Sequence, residues 1–131
     1  MAVQRTFTGT PWEAKVSYCR AIRRGPFVYV SGTTASDESG NVIGGDAYSQ
    51  AQFIFEKIER ALRELGASLA DVVRTRMFVV DISQWEQIGQ AHHEAFKDHP
   101  PTATMVEVTR LVDERHLVEI EVDAVVLDDP A

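Results

Sequence analysis

A chain of 131 residues, 44% hydrophobic and 25% charged, has the size and composition of one globular domain, read here as spanning 1–131, and leaves little room for a second folded unit. Its formal net charge of −7, from 20 acidic against 13 basic side chains, works against binding the phosphate backbone of a nucleic acid, and its single cysteine, Cys19, excludes an intrachain disulfide and any two-cysteine metal site. There is no run of 18 apolar residues and no apolar stretch of signal-peptide length near the first residues, so a soluble, cytoplasmic protein without membrane contact is expected.

In AKVSYCRAIRRGPFVYVSG, two runs rich in β-branched and aromatic residues flank the turn residues Arg23-Arg24-Gly25-Pro26, which predicts a β-hairpin with Tyr18 in its first strand. The polar segment from Asp37 to Gly40 predicts a surface turn. From Asp46 to Leu65 the apolar residues Ala47, Ala51, Ile54, Phe55, Ile58, Leu62 and Leu65 recur at steps of three and four, which predicts a helix with one apolar face, ended by Gly66.

Val72 to Val80 has the composition of a strand. Ser83 and Glu86 have capping-box spacing ahead of a second helix, from about Gln84 to Lys97, which Pro100 and Pro101 stop. Two strands, Ala103 to Val108 and Leu117 to Leu127, are expected on either side of the charged turn Asp113-Glu114-Arg115, and the terminal acidic residues read as a frayed end. The order ββ, α, β, α, ββ points to an α+β fold, a sheet with both helices on one face.

Along the last strand Val118, Ile120, Val122, Ala124 and Val126 alternate with Glu119, Glu121 and Asp123. The apolar row should meet the helices; the acidic row is either a solvated sheet face or a face turned toward another subunit. Arg74 and Arg76 alternate in the same way and are placed to oppose the acids. His92 and His93 are adjacent on a helix, so their side chains diverge and cannot share a metal ion; His99 and His116 stand alone in turns, and no metal site is expected.

The pieces VYVSG at 28–32, AYSQAQ at 47–52, LGASLADVVRTRMFVVDI at 65–82 and LVEIEVDAVV at 117–126, in that order and with Tyr18 ahead of them, resemble the RidA/YjgF family, also called L-PSP endoribonuclease-like. The resemblance covers about Val16 to Val126. It implies a chorismate-mutase-like fold assembled as a homotrimeric barrel, with small-molecule clefts at subunit boundaries. It also implies hydrolysis of 2-aminoacrylate and related 2-imino acids without a metal or organic cofactor.

Matched residue by residue, the family glutamate that positions the attacking water falls on Glu119, the site tyrosine on Tyr18 and the serine of the SG motif on Ser31. The arginine that grips the substrate carboxylate falls on Ala103. Gln90 stands where many members have asparagine, and Met105 where many have cysteine. Arg20, two residues from Tyr18, is either a replacement cation or half of a surface salt bridge. The sequence therefore supports two readings. One is a deaminase of imines or enamines whose substrate preference is altered by Ala103, with Glu119 catalytic and Tyr18, Ser31, Gln90, Ala103, Met105 and Arg20 at the ligand. The other is a non-catalytic trimer that binds a small metabolite or has a regulatory role. Ribonuclease activity follows only from a family label and disagrees with the charge.

Overall fold

The turn at Arg23-Arg24-Gly25-Pro26 does close a hairpin, but its first arm begins later than the sequence suggests. The computed structural model describes residues 3–127, so the reading of the last residues as a frayed end lies outside the described part. After a first strand, β1 (Val3–Thr6), a short helix α1 (Pro11–Val16) takes up residues expected in the hairpin, and the hairpin proper is β2 (Ala21–Arg24) with β3 (Phe27–Thr33). Pro11 opens α1 with its φ already helical, and Glu13 anchors it, because its carboxylate accepts the backbone N–H groups of Thr8 and Gly9 at 3.2 and 2.9 Å. Ser17, left-handed with φ 74°, turns the chain out of α1. Tyr18 and Cys19 therefore lie in the connection to β2 and not in a strand.

The long helix α2 (Ala47–Glu64) follows the predicted stripe: Ile54, Ile58 and Leu62 are fully buried. Asp46 caps it by accepting from Ser49 N at 2.7 Å, and Gly66, with φ 77°, lets Ala67 N reach back to Leu62 O at 2.9 Å. Then come β4 (Val72–Val79), α3 (Trp85–Phe96), β5 (Thr102–Glu107) and β6 (Val118–Val125). The capping box expected from Ser83 and Glu86 does not form; Asp81 instead accepts from Ser83 N at 3.0 Å and caps a single 3-10 turn ahead of α3.

The six strands form one mixed sheet in the order β1-β2-β3-β6-β4-β5. β5 does not pair with β6. It lies parallel to β4 at the sheet edge, because α3 carries the chain over the sheet and returns it in the same direction. The α+β expectation holds, with α2 and α3 together on one face and α1 as a third, short helix. Val118, Ile120, Val122 and Ala124 of β6 are all buried on the helix side, where α2 packs on the strand.

Glu121 and Asp123 face the other way, where Arg76 reaches both, at 3.3 and 3.2 Å, and Arg74 lies 4.0 Å from Asp123. These pairs are partly exposed, worth about 0–1 kcal/mol each, and mark the register more than they stabilise it. The same open face carries Phe27, Tyr29 and Val106, all substantially exposed.

Candidate functional site

Where β3 leaves β6 the ladder is irregular: the register slips between Val30 and Thr33, so Ser31 and Gly32 form a bulge beside Glu119. A Cβ on Gly32 would stand 2.2 Å from Glu119 Oε2, so only glycine leaves room for that carboxylate against the strand. Ser31 is fixed from both sides, with its N donating to Arg20 O at 2.9 Å and its Oγ to Cys19 O at 2.8 Å.

Above this bulge lies a cavity of about 370 Å³ into which Tyr18, Arg20, Ser31, Gly32 and Glu119 project. Its outer wall is apolar, made by Trp12 and Val16 of α1 and by Val112; its inner end is polar, with Thr34, Ser36, Lys57 and His116. That volume suits a small metabolite.

Arg20 corrects both alternatives read from the sequence. It is not at the surface: its side chain is 5% exposed and pairs at 3.2 Å with Glu13, itself 3% exposed. All of its N–H groups are engaged. Nε and Nη2 donate to Glu13 Oε2, Nη1 donates to Gly32 O at 2.7 Å and Thr33 Oγ1 at 3.0 Å, and Nη2 also reaches Tyr18 Oη at 3.4 Å. Arg20 thus ties α1, the bulge and Tyr18 together and has no donor left for a ligand. Because Tyr18 Oη accepts from Arg20, its own hydrogen is free to be donated into the cavity.

Burial raises the pKa of Glu13, but the Gly9 and Thr8 N–H groups and the Arg20 charge outweigh it, and the carboxyl sits below its ordinary value. Glu119 is shifted the other way. Burial pushes its pKa up, Glu121 adds to the shift, and Arg20 opposes it without cancelling it. No group among the described residues hydrogen-bonds the Glu119 carboxylate, which leaves its oxygens to water or a ligand.

The other sequence-derived residues are elsewhere. Ala103 and Met105 pair with Thr75 and Met77, whose side chains are buried on the helix side, whereas Glu119 pairs with Phe78 on the open side. Gln90 is exposed on α3 and donates to Glu94 Oε2 at 3.0 Å. Within one chain these three do not meet Tyr18, Ser31 and Glu119.

His116 is not the isolated turn residue that the sequence suggests: it is 2% exposed, lines the cavity and hydrogen-bonds Ser36 Oγ at 2.8 Å, with burial lowering its pKa. Lys57 and Trp12 line the cavity without a motif to mark them, although Lys57 leaves a signal: it falls three residues after Ile54 and four before Ala61, on the buried stripe of α2. Among the described residues no cluster of three or more His, Cys, Asp and Glu side chains is arranged to hold a metal, and no helix is long and apolar enough to cross a membrane.

Residues 8–126 match the family model described as Endoribonuclease L-PSP. An uncharacterised protein of Streptomyces coelicolor, SCO2049, is 35% identical, with 94% of this chain and 92% of that protein aligned. The 3-aminoacrylate deaminase RutC of Acinetobacter baylyi is 34% identical over 86% of this chain and 88% of its own. Among solved structures, Rv2704 of Mycobacterium tuberculosis, a member of the YjgF/YER057c/UK114 family, superposes with a TM-score of 0.88 at 45% identity, covering 95% of this chain and all of that one.

Proposed function

The chain belongs to the Endoribonuclease L-PSP family, the RidA/YjgF family, and from that membership we propose that it hydrolyses small reactive imines or enamines in the cavity between Tyr18 and Glu119. The observation that carries this is the state of Glu119: a half-buried carboxylate with a raised pKa and no hydrogen-bond partner among the described residues, set against a glycine bulge and facing a metabolite-sized space. Such a group holds a water and takes its proton as the oxygen attacks the imine carbon. The tetrahedral adduct then receives a proton on nitrogen, the C–N bond breaks, and ammonia and a carbonyl product leave. Tyr18, polarised by Arg20, donates a hydrogen bond to the developing charge.

In this reading the cleft is completed by a second subunit of a homotrimer. Ala103, Met105 and Gln90 lie away from Glu119 in their own chain, so they share a ligand with it only if they come from a neighbour, and the exposed apolar residues of the open sheet face support such packing. Light scattering tests this: a trimer at micromolar concentration is expected, and a monomer would remove these three residues from the site.

The reaction is tested by ammonia release from imines generated by an amino-acid oxidase. Wild type should accelerate release and Glu119→Ala should not; equal rates with and without the protein would contradict the proposal. The absence of arginine at Ala103 favours one alternative, a trimer that binds a metabolite without turning it over, and saturable ligand binding without ammonia release would select it. RNA cleavage has no place in this reading, because the net charge of −7 opposes RNA and the cavity has no row of basic side chains.

A further inference from the structure

The cavity contains two cationic side chains, and donor accounting separates them. Arg20 has five N–H groups and five contacts, all to protein. Lys57, rising from α2 at the inner end, is 8% exposed, and its Nζ donates to Ser36 O at 2.7 Å and to Thr34 O at 3.5 Å. An ammonium carries three hydrogens, so one remains. No carboxylate among the described residues pairs with it.

Resting on the proposed reading of this site, we infer that Lys57, and not Arg20 or any residue of β5, holds the acid group of a carboxylate ligand in this cavity. A carboxylate at the inner end places the adjacent C=N or C=O group along the cavity toward the outer, apolar wall of Trp12, Val16 and Val112, which receives the side chain. The altered substrate preference expected from Ala103 is then a relocated carboxylate site and not a lost one.

The charges around Lys57 come from each element packed on it. Burial lowers its pKa to about 8, and the Arg20 guanidinium adds to the shift. Glu13 from α1 and Asp37 and Glu38 from the loop after β3 oppose it, and His116, buried at the same end, has its own pKa lowered in part by the Lys57 charge. The group is therefore an ammonium below about pH 8 and loses its charge above it, while a bound carboxylate raises the value.

The test is binding of pyruvate and of its uncharged amide, followed by NMR titration between pH 6.5 and pH 9.5 with wild type, Lys57→Met and Lys57→Arg. For wild type the pyruvate Kd should rise with pH above about 8, toward about tenfold per unit; the amide should bind with no such dependence. Lys57→Met should weaken pyruvate at least roughly tenfold at pH 6.5 and flatten the pH profile. Lys57→Arg, which keeps its charge throughout, should bind with no loss up to pH 9.5. Wild-type affinity that is flat to pH 9.5, absence of saturable pyruvate binding at pH 6.5, or unchanged binding in Lys57→Met overturns the inference. If Lys57→Met does not fold, the wild-type and Lys57→Arg profiles decide alone. The outcome is separate from that of the reaction: pyruvate binding with this pH signature but no ammonia release would sink the hydrolase reading and leave Lys57 in place.

Discussion

The cavity at the bulge and the edge strand β5 were both marked by sequence as parts of one site, yet they are built in opposite ways. At the bulge nearly every polar group is fixed: Arg20 and Glu13 are buried against each other, Ser31 is bonded at N and Oγ, and Glu119 is left open. On β5, Ala103 and Met105 offer no charged group, and Thr102 is held by a bond to Val73 O at 2.6 Å. A side chain is ready for chemistry when its neighbours are satisfied and it is not, and by that measure the proposed chemistry is better served by the cavity than by β5.

The largest effect that would break this contrast is expected at Gly32. Gly32→Ala keeps an allowed backbone, and the atom in its way is the tip of a flexible side chain, so stability should hold while Glu119 is swung from its position. Imine hydrolysis should fall by about 10²–10⁴, the usual contribution of a positioned general base. Activity within threefold of wild type, at unchanged Tm, would show that the carboxylate does not need that place.

Next is the buried pair. Glu13→Gln leaves the Arg20 guanidinium without its counter-charge, which costs about 3–5 kcal/mol for buried pairs, and urea unfolding should show it. A loss below about 1 kcal/mol would mean that the pair is hydrated in solution.

Ala103→Arg sharpens the contrast from the other side. If a neighbour's β5 walls the cleft, the new guanidinium should tighten binding of small 2-oxo acids by about 2 kcal/mol, or roughly 30-fold. No change would show that the ligand's acid group lies beyond the reach of β5.

The smallest effect concerns pH and stability. Burial lowers the pKa of both His92 and His116 below 6.5. Between those lowered values and 6.5 the unfolded chain binds more protons than the folded one, so stability is full above pH 6.5 and is lost as pH falls through that window. Tm should decline from pH 7 to pH 5, and His116→Gln should lessen the slope.

Much of this was readable beforehand because it rests on period. The stripe of α2, the alternation of β6 and the opposition of Arg76 to Glu121 follow from side-chain spacing alone. Local pattern failed where a few specific contacts decide. α1 is only six residues long and is held by the Glu13 carboxylate on Thr8 and Gly9, a bond that no periodicity shows, so the sequence pattern puts Tyr18 in a strand. The parallel placement of β5 depends on how α3 crosses the sheet. Lys57 leaves little trace in the pattern because a charged residue on an apolar stripe reads as a gap, although burial there is what makes it informative.

The central claim is that Glu119 acts as a base in a cavity that raises its pKa. The direct measurement is the pH dependence of kcat/KM for imine hydrolysis by wild type and by Glu119→Gln, with nonenzymatic hydrolysis subtracted at each pH. Activity should fall on the acid side with a midpoint above the ordinary glutamate value of 4.5, and that limb should be absent from whatever activity Glu119→Gln retains. A midpoint at or below 4.5, or the same limb in both proteins, would contradict it.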